Sequence, residues 1–138
     1  MEGTYQHIID SKGRLFIPVR LRDELGHVFY VTLSMEKCLT AYSSESWQRF
    51  NDKYKQMSQV DQSRIEILYA MAHKCDLDSQ GRINIPQPLR NYADLKKNVA
   101  IVGVGDRVKF WDSERYAKVA AEAMKPENIA AVFEELRF

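Results

Sequence analysis

Residues 10–18 read DSKGRLFIP, and residues 78–86 read DSQGRINIP. Six of these nine positions are identical, and the match continues as far as Arg22 and Arg90. With a shift of one residue it resumes further on, where TAYSSESW corresponds to KFWDSERY. Halves this short cannot each bury a core alone. The repetition therefore predicts an internal duplication that folds as one domain with pseudo-two-fold symmetry.

The composition is that of an ordinary soluble protein, with 45% hydrophobic and 28% charged residues. No apolar run approaches the roughly 20 residues that a membrane span needs. The first ten residues, MEGTYQHIID, lack the basic start and the apolar stretch of a signal peptide. We therefore expect a cytoplasmic location without membrane association. The two cysteines, Cys38 and Cys75, fit reduced thiols better than a disulfide framework.

The net charge is only +1, whereas nucleic-acid-binding proteins usually carry an excess of positive charge. A role in nucleic-acid binding must therefore come from local clustering. The segment 12–22 provides such a cluster, because it contains four basic residues and no acid: Lys12, Arg14, Arg20 and Arg22. The second copy is less basic, since Gln80 replaces Lys12 and Pro88 replaces Arg20. We expect the first copy to contribute more to any such contact.

Both halves have the same predicted order of elements. A strand leads into the D-S-x-G-R turn, where Asp and Ser can bond nearby backbone groups and Gly takes a positive φ cheaply. A second strand follows, with Leu15 and Ile17 or Ile83 and Ile85 on one face. A proline ends it, and a short helical turn and two more strands complete the half. Helices follow each half. The last of them, 126–138, has an apolar face that fits packing within the chain or against a neighbour equally well.

Two arginines follow these turns directly, at the tip of a predicted two-stranded ribbon. Arginine suits bidentate contact with phosphate or with the O6 and N7 atoms of guanine. We therefore take Arg14 and Arg82 as candidate nucleic-acid contacts. The candidate turn-stabilising residues are Asp10, Gly13, Asp78 and Gly81. The alternative is that each Asp–Arg pair is a salt bridge that braces its turn, although one Asp can also brace a turn and orient an arginine that reaches a partner.

Other chemistries fit the sequence less well. His7 aligns with Cys75, and His73 lies nearby, but the second ligand pair of a zinc site is missing, so core packing is the better interpretation. Asp10 and Asp78 resemble a two-carboxylate acid/base pair, but the arginine that follows each would hold the carboxylate ionised. The common nucleotide-binding, metalloprotease and serine-hydrolase motifs do not occur in the sequence. We therefore expect no enzyme activity, no metal and no cofactor.

The doubled D-x-x-G-R-[hydrophobic]-x-I-P phrase resembles the AbrB-like swapped-hairpin DNA-binding fold, and in particular the MraZ family of bacterial transcriptional regulators. Further support comes from Gly3 and Tyr5 near the start, ESW after the first half and IVGVGDRVKFWD in the second. The resemblance implies an α+β fold with flanking helices, in which two AbrB-like swapped-hairpin repeats form one pseudo-two-fold, double-psi-like β-barrel. We assign the first repeat and its helix to 1–60, and the linking helix, second repeat and C-terminal helices to 61–138.

The resemblance also implies a function. Chains of this family assemble into ring-shaped homo-oligomers, and the arginine of each D-x-x-x-R motif contacts double-stranded DNA at promoter direct repeats. We therefore expect a sequence-specific regulator of the division and cell-wall gene cluster, cytoplasmic and associated with the nucleoid. Lys12, Arg20 and Arg22 would anchor phosphates while Arg14 and Arg82 enter the major groove. The alternative is a ring-forming scaffold whose affinity for DNA is non-specific.

Overall fold

The computed structural model describes residues 1–137, and Phe138, the end of the predicted last helix, lies outside the described residues. The first half has four strands and two helices: β1 (Thr4–Ile8), β2 (Arg14–Phe16), α1 (Val19–Leu25), β3 (Val28–Leu33), β4 (Leu39–Ser43) and α2 (Ser44–Lys55). A linking helix, α3 (Gln59–Ala70), follows. The second half repeats the order: β5 (His73–Asp76), β6 (Arg82–Asn84), α4 (Gln87–Tyr92), β7 (Asn98–Val104), β8 (Arg107–Asp112), α5 (Ser113–Ala123) and α6 (Pro126–Leu136). The predicted order of strands and helices is confirmed.

The strands of the two halves are interleaved. An antiparallel six-stranded sheet has the order β1-β7-β8-β4-β3-β5, and β2 pairs with β6 in a separate two-stranded ribbon. Each half therefore supplies strands to both sheets, as the pseudo-two-fold prediction requires. A continuous hydrogen-bonded ladder does not close the large sheet, because β1 and β5 are its two edges. The ribbon lies across this opening, joined to the end of β1 by the Ile9–Leu15 bridge and in contact with β5 through β6.

The predicted inward faces of the ribbon form the centre of the core. Leu15, Ile17 and Ile85 are completely buried, and Ile83 is nearly so. They pack in one cluster with residues of both halves, among them Phe110. Burial of one such side chain stabilises a fold by about 1.5–3 kcal/mol. Side chains alternate between the two faces of a strand, so the remaining residues of β2 and β6 point away from the core.

Local sequence signals mark where several helices begin. The Ser43 side chain accepts a hydrogen bond from the backbone N–H of Ser46 at the start of α2, and Asp112 does the same for Arg115 at the start of α5. Pro18 and Pro86 precede the short helices α1 and α4.

Among residues 1–137, none of the helices combines the length and apolar composition that a membrane crossing requires.

The helices that follow α2 and α5, namely α3 and α6, differ in their aromatic packing. Tyr69 of α3 packs on Trp47 and Phe50 of α2, with ring centres 5.6 and 5.5 Å apart. The corresponding helix of the second half, α6, contacts α5 but keeps large apolar side chains exposed, including Ile129, Val132 and Leu136. Packing within the chain therefore does not bury the apolar face of α6.

Candidate nucleic-acid interface

The first turn is built by Asp10. Its Oδ1 accepts hydrogen bonds from the backbone N–H groups of Lys12 (3.0 Å) and Arg14 (2.9 Å), and its backbone carbonyl accepts one from Gly13 (3.0 Å). Gly13 has a φ of +86°, and a Cβ there would come within 2.5 Å of the Ile85 carbonyl oxygen. A side chain at this position would therefore meet both backbone strain and a clash with the other half.

The second turn repeats this geometry. Asp78 Oδ1 accepts from the backbone N–H groups of Gln80 (2.8 Å) and Arg82 (2.9 Å), and the Asp78 carbonyl accepts from Gly81 (3.0 Å). Gly81 has a φ of +76°, and a Cβ there would collide with the Arg22 guanidinium. The structure therefore gives Asp10, Gly13, Asp78 and Gly81 the turn-stabilising contacts that the sequence predicts for them.

Each motif arginine is held by the aspartate of its own turn. The Arg14 Nε donates to Asp10 Oδ2 at 2.6 Å, and the Arg82 Nε donates to Asp78 Oδ2 at 3.0 Å. The backbone N–H of Arg14, followed by its side chain, lowers the pKa of Asp10 below the ordinary value of 3.8, and the backbone N–H of Arg82 does most to lower the pKa of Asp78. Both aspartates are therefore paired anions, unlike the unpaired carboxylates of an acid/base site.

The salt bridges leave part of each guanidinium available. The side chains of Arg14 and Arg82 are 41% and 31% exposed. Within residues 1–137, the hydrogen bonds of both side chains use Nε alone. The salt bridge that was the alternative interpretation of each Asp–Arg pair is thus present, and it leaves the two Nη groups of each arginine free to donate to a partner.

The outward face of the ribbon brings the two arginines together. In the β2–β6 pairing Arg14 is opposite Asn84, and Phe16 is opposite Arg82. Arg14 and Arg82 are therefore diagonal neighbours, a relation that places residues about 7–8 Å apart in an antiparallel pair. Asn84 also donates through Nδ2 to the Lys12 carbonyl at 2.9 Å, which ties the first turn to the ribbon.

Two further arginines cross from one half to brace the turn of the other. Arg22 donates through Nε to the Ile17 carbonyl at 2.7 Å and packs over Gly81, with its guanidinium carbon 4.6 Å from the Phe16 ring centre. Arg90 donates to the Ile85 carbonyl at 2.8 Å and packs over Gly13. Arg90 and Asn84 were not among the residues predicted for this site. The match of Arg22 with Arg90 in the repeat was a usable signal for the former.

The basic segment 12–22 does not form one surface. Lys12 is exposed on the first turn, beside Arg14. Arg20 instead lines a cleft on the other side of α1, together with Glu2, Tyr5 and Glu24. The structure therefore groups Lys12, Arg14, Arg22 and Arg82 around the ribbon and separates Arg20 from them.

His7 and Cys75, for which core packing was preferred over metal binding, lie in ordinary packing environments. His7 is half-buried and contacts Phe16, with ring centres 5.0 Å apart. Cys75 is 2% exposed, and burial raises the pKa of its thiol to about 12. In the described part of the chain, three or more His, Cys, Asp or Glu side chains do not gather in a way that would hold a metal ion.

A family model described as "MraZ protein, putative antitoxin-like" matches the chain twice, over residues 1–67 and 68–136. The chain belongs to the MraZ family. Each match contains one D-S-x-G-R turn, so the MraZ repeat is the structural half described above. The boundary between the two matches lies inside α3, the helix that links the halves.

Three MraZ relatives, each named "Transcriptional regulator MraZ", resemble the chain over most of its length. The protein of Caldicellulosiruptor saccharolyticus is 39% identical over 97% of this chain and 96% of its own length. That of Heliobacterium modesticaldum is 42% identical over 88% and 87%, and that of Alkaliphilus metalliredigens 38% identical over 97% and 96%. These names agree with the expectation of a transcriptional regulator.

Proposed function

We propose that the chain is a sequence-specific DNA-binding transcriptional regulator that reads DNA with the β2–β6 ribbon. One observation carries the proposal: two equivalent turns each present an arginine on the outward face of one two-stranded ribbon, held through Nε and open through its Nη groups. The major groove of DNA, about 12 Å wide, admits a two-stranded β-ribbon. The ribbon thus has the right shape, and its arginines have the right donors, for guanine O6 and N7.

The spacing of the two arginines suits the spacing of bases. Diagonal neighbours in the ribbon lie about 7–8 Å apart, and nucleotides along one strand rise by about 3.4 Å each. Arg14 and Arg82 therefore match positions about two base steps apart. Because each arginine is neutralised by its aspartate, the pairs supply directed hydrogen bonds rather than net charge. Lys12 and Arg22, which have no carboxylate partner within residues 1–137, supply the attraction to phosphates.

A ring-shaped homo-oligomer, which the family resemblance implies, would compensate for the low net charge. A ring places the β2–β6 ribbons of several subunits on successive direct repeats. Because these binding events are linked, the overall affinity rises without new contacts in any one subunit. The exposed apolar side chains of α6 support self-association, because a contact with another chain would remove them from water. We place the target in the promoter of the division and cell-wall gene cluster, which implies association with the nucleoid.

A ring-forming scaffold is the second candidate function. The net charge of +1 and the exposed apolar side chains of α6 favour it, since neither feature requires DNA. The two functions differ in sequence specificity. A scaffold would bind all duplexes alike and lose them together as salt rises.

The first test measures binding of the unmodified protein to duplex DNA from upstream of its own gene and to a scrambled duplex, at about 150 mM salt. A preference of about 10³ or more places the protein among specific regulators, and equal binding supports the scaffold.

The second test compares Arg14→Ala with Arg64→Ala, which removes an exposed arginine of α3. We expect Arg14→Ala to fold and assemble normally and to lose specific binding, and Arg64→Ala to behave as wild type. An Arg14→Ala protein that misassembles would show instead that the arginine serves mainly to brace the turn.

A further inference from the structure

A basic cleft lies beside the first turn, outside the ribbon. Its volume is about 360 Å³, and it lies between Asp10 and Ser11 of the turn, Arg90 of α4, and Lys96 and Lys97, which precede β7. Arg90 is accounted for by the repeat and by its contact with the first turn, whereas Lys96 and Lys97 lie outside the duplicated phrase.

The charges of this cleft do not cancel. The Asp10 carboxylate is paired with Arg14, and the Lys96 ammonium lies 3.4 Å from Asp94 and 3.6 Å from Asp112. Among residues 1–137, Arg90 bonds two backbone carbonyls, those of Ile85 and Ser11, and no carboxylate. The exposed Lys97 makes no side-chain hydrogen bond or ion pair with any residue in 1–137. Two positive charges in the cleft, those of Arg90 and Lys97, therefore have no carboxylate partner in this part of the chain.

The corresponding place beside the second turn has Arg22 where the first has Arg90, but it lacks the lysines. The backbone N–H of Ile9, just before Asp10, donates to the Lys97 carbonyl at 2.9 Å, and the N–H of Leu77, just before Asp78, donates to the His27 carbonyl at 2.9 Å. Lys97 and His27 thus occupy equivalent places. The exposed residue before Ile9 is Ile8, whereas the exposed residue before Leu77 is Asp76. An anion is therefore attracted to the first flank more strongly than to the second.

We propose that Lys97 and Arg90, both from the second half, bind a backbone phosphate of duplex DNA beside the first turn, so that the flank of the first turn makes more phosphate contact than the flank of the second. This inference rests on the proposed function, since it extends the ribbon face by one site. Arg90 is held rigidly by its bond to the Ile85 carbonyl, and Lys97 is a flexible cation at the mouth of the cleft. Such phosphate contacts fix register and orientation, and base contacts supply specificity.

The test is the salt dependence of binding to the upstream duplex and to the scrambled duplex, between 50 and 200 mM salt. Each phosphate neutralised contributes about −0.9 to the slope of log K against log salt. We expect Lys97→Ala to make the slope shallower by about 0.9 on both duplexes. The wild-type advantage in affinity over Lys97→Ala should accordingly shrink about 3.5-fold between the two salt concentrations. The preference for the upstream duplex should stay unchanged.

Two control variants isolate the site. Lys96→Ala removes the neighbouring lysine, whose charge is already met by two aspartates. Lys55→Ala removes an exposed lysine of α2, a helix that packs on β3 and β4. Both should keep the wild-type slope. Equal losses in all three variants would overturn the inference, because they would reflect overall charge alone. At matched ionic strength, sodium phosphate should displace the duplex no better than sodium chloride does. Stronger displacement by sodium phosphate would indicate that the cleft binds free phosphate instead of the DNA backbone.

The outcomes separate this inference from the proposed function. If the wild type prefers the upstream duplex and Lys97→Ala retains the wild-type slope, the phosphate site is wrong and the ribbon proposal stands. If the wild type shows no preference but Lys97→Ala still makes the slope shallower, the phosphate site stands and the specific regulator is wrong. Failure of the wild type to bind either duplex would overturn both.

Discussion

Asparagine in place of Asp10 should raise affinity for DNA in general and lower specificity. The change is nearly isosteric, so the side-chain oxygen can still accept the backbone N–H groups of Lys12 and Arg14. The amide nitrogen then replaces Oδ2, which lies 2.6 Å from the Arg14 Nε. Two donors would face each other at that distance, so Arg14 loses the contact that fixes its orientation. The turn should survive while the arginine becomes free to move.

The magnitude follows from two separate effects. Loss of one well-oriented bidentate base contact reduces discrimination between the correct and a wrong duplex by roughly 5- to 150-fold. Loss of one carboxylate charge releases the Arg14 charge to the phosphates, so the salt slope should steepen by about 0.9 on any duplex. Non-specific binding at low salt should therefore become tighter while the preference for the upstream sequence falls.

Fluorescence anisotropy with the upstream and scrambled duplexes, at several salt concentrations, measures both quantities. Asp78→Asn is the matched change in the second turn, and we expect the same direction of effect with a smaller change in specificity. Circular dichroism and thermal unfolding confirm that the fold is retained. If Asp10→Asn tightens binding to both duplexes by the same factor, Asp10 does not orient a base-reading arginine, and the reasoning fails.

Three further predictions concern the fold. Thr40→Val should raise the free energy of unfolding by about 1 kcal/mol, because the buried Oγ1 of Thr40 has no hydrogen-bond partner within residues 1–137. Thr32→Val, at the residue opposite Thr40 on the neighbouring strand, should lower the free energy of unfolding, since the Thr32 hydroxyl donates to the Leu68 carbonyl at 2.6 Å. Urea titrations of both variants measure the difference. The buried Cys75 thiol, with its pKa raised to about 12, should resist a thiol reagent at pH 8 in the folded protein and react after denaturation. Because the pKa values of Asp10 and Asp78 are lowered in the folded protein, the unfolded chain takes up protons first as the pH falls. The stability of the protein should therefore fall as the pH drops below about 3.8. Acid-denaturation curves should show a smaller fall in the Asp10→Asn/Asp78→Asn double variant.

The sequence was informative wherever the signal was local or repeated. Alternation in the two ribbon strands predicted that Leu15 and Ile17 share one face, as do Ile83 and Ile85, and all four are buried. The D-S-x-G-R pattern predicted the turns and offered the pairing of Asp10 with Arg14 as one of two interpretations, because all of these contacts lie within five consecutive residues. Such features need no knowledge of how the halves are arranged.

Contacts between the halves could not be predicted in this way. Arg90 packs over Gly13, and Asn84 bonds the Lys12 carbonyl, only because β2 pairs with β6. Proximity in sequence also misled in one place. Arg20 belongs to the basic segment 12–22, but α1 directs it into a separate cleft with Glu24. The predicted barrel is likewise a matter of long-range pairing, and the large sheet ends at β1 and β5 without a closing ladder.

Contacts between the halves hold the two D-S-x-G-R turns in a fixed relative position. The N–H of Ile17, beyond the first turn, donates to the Gly81 carbonyl at 2.9 Å, and the N–H of Ile85 donates to the Gly13 carbonyl at 2.7 Å. Arg22 covers the glycine of the second turn, and its counterpart in the second half covers the glycine of the first. Neither turn can move without disturbing bonds made by the other half. The relative position of the two reading arginines is therefore set by the ribbon itself, which is what a fixed spacing of bases requires, and each half depends on the other for the shape of its DNA contact.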